Sequence, residues 1–346
     1  MQIFDWAVIG AGPAGIATVG KLLDHGIQPQ QIVWLDPHFK VGDFGSKWRN
    51  VSSNTKVSLF NKFLLNCQSF AYEPQRRTFA LDTLDPAKTC QLAFMAEPLQ
   101  WITDQFKQQV VCQQGFVQKI AQSQRSWTIT LSDKTLQAKN VVLATGADPK
   151  TLNHPDITVI ALEQALDIQQ LALACQPTDT VAVFGSSHSA IMAIRNLLDC
   201  SVKNVVNFYR APLRYAVYFD DWILFDDTGL KGTTAEWARE NIDGTLPAGL
   251  ERYLASEAHI QQHLPRCNKA VYAVGFAPRK HPMIEGFSAL AHNEHSGIIA
   301  PGLFGIGIAF PEASIDRFRN LEYRVGLWKF MDYLNRVMPV WLNYST

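Results

Sequence analysis

The chain has 346 residues, of which 47% are hydrophobic and 18% are charged, and its formal net charge at pH 7 is zero. This length and composition predict a globular protein of about two domains with a substantial core. The balanced charge excludes the basic field that attracts nucleic acid or an anionic membrane, and no apolar run of about 18 residues predicts a membrane span. We expect no signal peptide, because the first strand begins almost at the N-terminus. The six cysteines are scattered without a Cys-x-x-Cys pair, so we expect reduced thiols and a cytoplasmic location.

The first motif lies in residues 6–23, WAVIGAGPAGIATVGKLL, which predict a strand, a glycine-rich turn and a helix. Glycines at this spacing permit the tight turn, the approach of a pyrophosphate and close helix packing, and the helix N-terminus adds N–H donors. The residues expected to bind the pyrophosphate are Gly10, Ala11, Gly12, Pro13, Ala14 and Gly15. The next strand ends at Asp36, the usual position of an acid that binds ribose hydroxyls, so the pattern favours a dinucleotide site over an ordinary turn.

Residues 116–149 connect the first motif to a second one. Apolar and polar residues alternate there, which predicts a small antiparallel unit. The segment continues into an apolar strand that breaks at Gly146 and Pro149. A domain boundary is therefore expected near residue 150.

The second motif, TVAVFGSSHSAIMAIRNLL in residues 180–198, again predicts a strand, a small-residue turn and a helix. Only the first glycine is kept, and the expected cofactor-binding residues are Gly185, Ser186, Ser187, His188 and Ser189. For His188, a cofactor contact and a capping or packing role both remain open. The following strand is predicted to end at Arg210, and an arginine there suits a 2′-phosphate, which favours NADPH over NADH. The alternative is that Arg210 only solvates a strand end.

The spacing of the two motifs, about 175 residues, predicts one Rossmann-like domain inserted into another. The sequence GLFGIGIAFPEA in residues 302–313 predicts a last apolar strand that leads into a closing helix. The expected fold is α/β, with one domain formed by residues 1–150 and 270–346 and a smaller inserted domain formed by residues 151–269.

With these motifs, the chain resembles the two-dinucleotide-binding flavoproteins, and among them the class B flavin-dependent monooxygenases. In matching order after Asp36 come Gly42, Gly45, Trp48 and the run Ser53-Asn54-Thr55-Lys56. The resemblance implies that FAD occupies the first domain and NAD(P)H the inserted one, and that Asn54 contacts the flavin ring as a catalytic residue. Asn54 as the cap of a local turn is the alternative. The resemblance also implies that the cofactor sites include Trp48, Val117, Gly146 and Gly307.

The resemblance further implies an FAD-dependent, NAD(P)H-oxidising oxidoreductase. We expect a monooxygenase that uses NADPH and molecular oxygen to oxygenate a small amine, sulfide or carbonyl substrate through a flavin peroxide. An NAD(P)H:acceptor reductase or oxidase without oxygenation, and a non-catalytic FAD-binding redox sensor, are the alternatives. A homodimer is left open.

Other polar clusters are expected to be solvated surface features, and no metal site is predicted. His259 and His263 lie one helical turn apart, but no third ligand or catalytic glutamate accompanies them. The acids of YFDDWILFDD, residues 218–227, read as an exposed loop.

Overall fold

The structure, a computed structural model, describes residues 2–73, 77–280, 282–287 and 290–344. The β-strands in chain order are β1 (Ile3–Ile9), β2 (Ile32–Asp36), β3 (Ser52–Lys56), β4 (Thr89–Gln91), β5 (Val111–Gln114), β6 (Lys119–Ser123), β7 (Ser126–Thr130), β8 (Thr135–Leu143), β9 (Ala147–Pro149), β10 (Thr158–Ile160), β11 (Thr180–Phe184), β12 (Asn204–Tyr209), β13 (Val217–Tyr218), β14 (Ile223–Leu224), β15 (Leu250–Leu254), β16 (Lys269–Tyr272), β17 (Phe276–Pro278), β18 (Met283–Ile284), β19 (Ile298–Ala300), β20 (Leu303–Gly305), β21 (Glu312–Ile315) and β22 (Leu321–Arg324). The α-helices are α1 (Pro13–Asp24), α2 (Gly42–Ser46), α3 (Val57–Leu65), α4 (Ala93–Gln109), α5 (Leu162–Leu166), α6 (Ile168–Ala174), α7 (His188–Asp199), α8 (Gly232–Asn241), α9 (Glu257–His263) and α10 (Leu327–Asn343).

The chain divides into two compact units. The first comprises Met1–Arg49, Lys56–Ala147 and Pro278–Thr346, and the second comprises Asn50–Thr55 and Asp148–Ala277. The short segment 50–55 therefore groups with the second unit. The predicted domain boundaries, near residues 150 and 270, and the assignment of one cofactor to each domain stay predictions.

The first unit contains a nine-stranded sheet. Five of its strands run parallel in the order β20-β8-β1-β2-β5. The strands β6, β7 and β8 pair antiparallel in succession, as the alternating residues predict. The long strand β8 thus belongs to both parts of the sheet.

Strand β1 is buried on both faces, as parallel strands usually are. Because side chains alternate along a strand, Trp6 and Val8 pack in one core with side chains of α1, α3, α4 and α10. Ala7 and Ile9 belong to a second core on the opposite face, together with side chains of β6–β8. Helix α1 therefore lies against one face of the sheet and starts at its carboxyl edge.

The second unit repeats this plan on a smaller scale, with five parallel strands in the order β10-β16-β11-β12-β15. Helix α7 connects β11 to β12. Its buried positions Ala190, Ile194 and Leu197 recur at helical spacing, so one stripe of the helix faces the core. The rings of Phe184 and Phe208 stack at 4.9 Å between their centroids within the sheet core.

The helices α4 and α10 each have 17 residues. Across the described part of the chain, no helix has both the length and the apolar character that crossing a bilayer requires.

Candidate functional site

The first glycine-rich turn joins β1 to α1, and two of its glycines are required by the protein itself. Gly10 has φ +112°, and a Cβ there would lie 2.3 Å from the carbonyl oxygen of Ala144. A Cβ at Gly15 would lie 2.0 Å from the Gly10 oxygen. At Gly12, by contrast, a Cβ would meet no atom within 4 Å. The space in front of Gly12 is therefore available to a ligand.

Pro13 and Ala14 begin helix α1 beside this turn. Proline is well suited to the first helical position, because the N–H that it lacks has no partner within the helix there. Gly307, which follows β20, has φ +87°, and a Cβ there would lie 2.9 Å from the Ala14 Cβ. The structure thus brings Gly307 to the start of α1.

Asp36 ends β2 and is buried. Its Oδ2 accepts a hydrogen bond from the Ala11 N–H at 2.8 Å. Its Oδ1 accepts from the N–H groups of His38 and Phe39, at 2.8 and 2.7 Å. The carboxylate therefore ties the glycine-rich turn to the loop that follows β2.

A cavity of about 300 Å³ lies at the carboxyl edge of the first sheet. Gly10, Asp36 and Val117 all line it. Phe116 also lines it with a side chain that is 69% exposed, and its ring packs edge-on against the His38 ring. The cavity occupies the crevice outside the strand ends, where open α/β sheets bind ligands.

Three basic residues in this cavity were not identified from the sequence: Lys40, Arg279 and Lys280. The Arg279 guanidinium pairs with Asp43, and the backbone N–H of Arg279 donates to the carbonyl of Gly146 at 3.1 Å. For Arg279 and Lys280, the sequence shows only two adjacent cations directly after residues 276–278, FAP. This position is far along the chain from the first turn, so nothing in the sequence links the two.

Trp48 is half-buried just after α2, and its N–H donates to the Asp43 carbonyl at 3.0 Å. It is not one of the residues that line the cavity. The structure therefore does not bring Trp48 together with Gly10, Asp36 and Val117.

The second turn, between β11 and α7, repeats the backbone geometry of the first. Gly185 has φ +129°, and a Cβ there would lie 2.4 Å from the Ala273 oxygen. The Gly185 N–H donates to the Phe208 carbonyl at 2.9 Å, just as the Gly10 N–H donates to the Leu35 carbonyl at 2.8 Å. Gly185 is thus the counterpart of Gly10.

The carbonyl of the first glycine also has a side-chain donor in both turns. Trp34 Nε1 donates to the Gly10 oxygen at 2.9 Å, and Asn207 Nδ2 donates to the Gly185 oxygen at 2.8 Å. Trp34 directly precedes Leu35, and Asn207 directly precedes Phe208. The carbonyls of Leu35 and Phe208 are the ones that accept from the N–H groups of Gly10 and Gly185. The two turns are therefore held by equivalent contacts from different residue types.

The other residues of the second turn are small. The Ser186 hydroxyl donates to the Ala211 carbonyl at 3.1 Å, and Ser187 is exposed at the residue before α7. Ser189 lies in the first turn of that helix. Ala190 has the place of the third glycine and is fully buried.

His188 is the first residue of α7. Both of its ring nitrogens are shielded from solvent, and neither has a hydrogen-bond partner among the residues that the structure describes. Burial lowers the pKa of His188 to about 4, and the Lys231 charge adds to this shift. The nearby Ser52 backbone opposes it, although it makes no hydrogen bond of normal geometry with the ring. The imidazole is therefore neutral at pH 7 and retains the capacity to bind a polar group.

The prediction that the following strand ends at Arg210 is wrong by one residue. Strand β12 ends at Tyr209, and Arg210 follows it with an exposed side chain. Because Phe208 corresponds to Leu35, Tyr209 rather than Arg210 is the counterpart of Asp36.

Asn54 lies in β3 and is exposed. Its Oδ1 accepts a hydrogen bond from the Thr55 hydroxyl at 3.2 Å, and the Ser53 hydroxyl donates to the Thr55 carbonyl at 2.6 Å. The amide keeps hydrogen-bonding capacity toward a ligand, while its contact with Thr55 also fits a local structural role.

The histidine pair of α9 engages the protein itself. The His263 ring stacks on Tyr253 at 3.7 Å, and His259 Nδ1 lies 2.9 Å from the Leu254 oxygen. In the described ranges, no three His, Cys, Asp or Glu residues are grouped so that they could hold a metal ion.

A family profile described as "Pyridine nucleotide-disulphide oxidoreductase" matches residues 7–214, which include both turns. The chain belongs to this family. It is 36% identical to Monooxygenase AgnR1 of Paecilomyces divaricatus, over 97% of each protein. The family match and this relative thus span most of the chain.

Two solved structures show the same fold. One is the ornithine N-hydroxylase of Kutzneria sp. 744, in a structure with reduced FAD, NADP+ and L-ornithine (12% identity, 99% of each chain, TM-score 0.67). The other is the flavin-containing monooxygenase from Stenotrophomonas maltophilia (14% identity, 99% of each chain, TM-score 0.65).

These comparisons confirm the predicted resemblance to flavin monooxygenases and the α/β fold with two dinucleotide-binding motifs. The family match also confirms the prediction of an oxidoreductase, and the relative that spans the chain supports the monooxygenase type. The substrate and the roles of single residues stay predictions.

Replacing Gly12 by valine should remove FAD without unfolding the protein. The branched side chain would enter the open space in front of the turn. Loss of a backbone contact to phosphate should cost about 1.5–3 kcal/mol, so flavin retention should fall roughly tenfold or more. The flavin-to-protein absorbance ratio of the purified variant measures this. Gly15→Val is the comparison, because it should lower the melting temperature sharply. Full flavin content in Gly12→Val would contradict the prediction that this turn binds FAD.

Removing the His188 imidazole should make the protein less sensitive to acid. The native pKa of about 4 lies below the usual 6.5, so the unfolded state takes up a proton that the native state does not as the pH falls between these values. Wild type should therefore lose up to about 3 kcal/mol between pH 7 and pH 4 through this group. His188→Gln and His188→Leu should abolish that part of the loss in urea unfolding. The exposed His25→Gln is the matched control for the loss of a histidine, and an unchanged pH dependence in both His188 variants would show that the imidazole is not buried in neutral form.

Proposed function

We propose that the protein is a monooxygenase that oxidises NADPH and inserts one atom of molecular oxygen into a small amine, sulfide or carbonyl compound. The observation that carries this proposal is the similarity to a monooxygenase over 97% of both chains. We assign FAD to the first unit and NADPH to the second. Bound FAD would supply the redox chemistry, and the chain would bind, orient and shield it.

The first unit fits a dinucleotide such as FAD. The open space at Gly12 suits a pyrophosphate that lies against bare backbone, and the N-terminus of α1 offers N–H donors to it. The cavity beside Asp36 suits an adenosine, because a carboxylate can accept hydrogen bonds from ribose hydroxyls. In this assignment, Lys40 and Lys280 provide positive charge beside the phosphates.

The second unit fits a second dinucleotide. The backbone contacts of Gly185 repeat those of Gly10, and Ala190 is small enough to keep helix and strand close. The two partnerless nitrogens of His188 lie at the same turn and suit a polar group of the cofactor. A neutral imidazole offers one donor and one acceptor.

Asn54 is proposed to govern the use of the reduced cofactor. Its amide can donate and accept hydrogen bonds, and in β3 it is exposed rather than buried in a core. A side-chain donor at this place can hold an oxygen-bearing group in position once the bound cofactor and substrate exclude water. No protein nucleophile is needed for this chemistry.

The cysteines argue against disulfide reduction, although the family includes that activity in its description. The sequence contains no Cys-x-x-Cys pair. Burial raises the pKa of Cys90 and of Cys267 to about 11 and raises that of Cys67 further, which disfavours the reactive thiolate. The scattered, free cysteines agree with the cytoplasm as the proposed location.

Replacing Asn54 by serine should uncouple NADPH oxidation from oxygenation. The shorter side chain loses a hydrogen bond worth about 1 kcal/mol, so product formation should fall roughly fivefold while hydrogen peroxide rises. We would use methyl phenyl sulfide as the probe and measure sulfoxide, peroxide and NADPH consumption. FAD content and melting temperature should stay at the wild-type values.

The control is Asn50→Ser, the same exchange in the same segment. The Asn50 Nδ2 donates a hydrogen bond to Asp167 Oδ2 at 2.8 Å. This variant should keep wild-type coupling. If Asn54→Ser keeps the wild-type coupling but has a lower melting temperature, Asn54 has a structural role and not a catalytic one. Peroxide without sulfoxide in the wild type would favour an NADPH oxidase.

A further inference from the structure

The second unit lacks an acid at the position that binds a ribose hydroxyl in the first unit. Tyr209 is there instead, because it follows Phe208 as Asp36 follows Leu35. A phenol can bind one hydroxyl, but it does not carry the negative charge that repels a 2′-phosphate. The position thus favours a phosphorylated ribose.

A cation stands over this tyrosine. The guanidinium of Arg252, on the neighbouring strand β15, lies 4.6 Å from the centroid of the Tyr209 ring. Arg252 is paired in register with Asn207, two residues before Tyr209. Its long side chain therefore extends along the sheet toward the carboxyl edge, where a nucleotide would bind.

Arg252 is also linked to the second turn. Its Nε donates to Asn207 Oδ1 at 2.9 Å, and Asn207 Nδ2 donates to the Gly185 carbonyl at 2.8 Å. A single amide thus separates the guanidinium from the first glycine of the turn. A group bound by Arg252 would lie beside the dinucleotide turn.

The guanidinium is incompletely satisfied. Its Nη2 is shielded from solvent and has no hydrogen-bond partner within the described part of the chain. Burial lowers the pKa of Arg252, while the nearby Asp243 opposes that shift. The Asp243 carboxylate itself accepts a hydrogen bond from the Tyr215 hydroxyl at 2.5 Å, and Arg239 covers the Tyr215 ring at 4.2 Å. A buried donor without a partner is costly, and such donors are commonly completed by a ligand.

We propose that Arg252 is the residue that binds the adenosine 2′-phosphate and thereby determines the preference for NADPH over NADH. The inference rests on the proposed binding of NADPH by the second unit. Binding in this way requires the Tyr209 ring, which lies over the guanidinium, to move aside so that Nη2 reaches the phosphate. A guanidinium binds a phosphate through two parallel hydrogen bonds, which a lysine cannot reproduce. Arg210, exposed after β12, is then not the main determinant.

The test is calorimetric titration of the oxidised holoenzyme with NADP+ and with NAD+. Arg252→Met should weaken NADP+ binding roughly ten- to a hundredfold and change NAD+ binding less than about threefold, because only one ligand carries the phosphate. Arg252→Lys should recover part of the NADP+ affinity. The control is Arg266→Met. Arg266 is exposed and pairs with Glu251, the residue before Arg252 on β15, and its replacement should leave both affinities unchanged.

Equal losses for NADP+ and NAD+ in both Arg252 variants would overturn the proposal, because they would show that Arg252 only supports Asn207 and the turn. Loss of the NADP+ preference in Arg210→Ala, with the preference intact in Arg252→Lys and Arg252→Met, would also overturn it. A wild-type holoenzyme that keeps FAD but binds neither NADP+ nor NAD+ would instead refute the proposed function of the second unit, and this inference with it.

Discussion

The close approach of helix α1 to the end of β1 is the contact on which the rest of the architecture depends. Only a hydrogen atom at residue 15 leaves room for the Gly10 carbonyl, since a Cβ would lie 2.0 Å from that oxygen. The same carbonyl accepts the Trp34 indole N–H, which fixes β2 beside it. Because the helix starts so near the strand ends, its free N–H groups point to the crevice where a pyrophosphate can bind.

The second unit achieves the same approach with different residues. Ala190 takes the place of the third glycine, and Asn207 takes the place of Trp34. The backbone contacts are kept while two of the three glycines are lost. In the proposed assignment, a turn with only one glycine of the motif still binds a dinucleotide, and its chemistry differs from that of the first turn at Tyr209 and His188. Two such turns in one chain suit a protein that passes electrons from one dinucleotide to another.

Local patterns in the sequence were sufficient to predict the first strand, turn and helix and the strand that ends at Asp36, because these elements lie within about thirty residues. Val117 was predicted as a cofactor-binding residue without a local motif behind it; it lines the cavity with Gly10 and Asp36, and its contact with a cofactor stays a prediction. The repeated strand–turn–helix pattern likewise predicted the second sheet. The strand end at residue 210 was one residue too late, since propensity alone does not define the hydrogen-bond register.

Contacts between distant segments could not be predicted. Lys280 reaches the first cavity from a strand connection more than 240 positions after Asp36. Arg252 meets Tyr209 only because β15 pairs with β12, and no spacing in the sequence indicates that pairing. The partnerless nitrogens of His188 follow from burial in the folded chain, which a single sequence does not reveal.

The central claim, oxygenation driven by NADPH, is tested most directly by isotope transfer. The holoenzyme would be mixed with NADPH and methyl phenyl sulfide under 18O-labelled oxygen gas, and the sulfoxide would be analysed by mass spectrometry. The account predicts one labelled oxygen atom in the sulfoxide and one NADPH consumed for each sulfoxide formed, with the second oxygen atom released as water. Consumption of NADPH with all labelled oxygen recovered as hydrogen peroxide would contradict it.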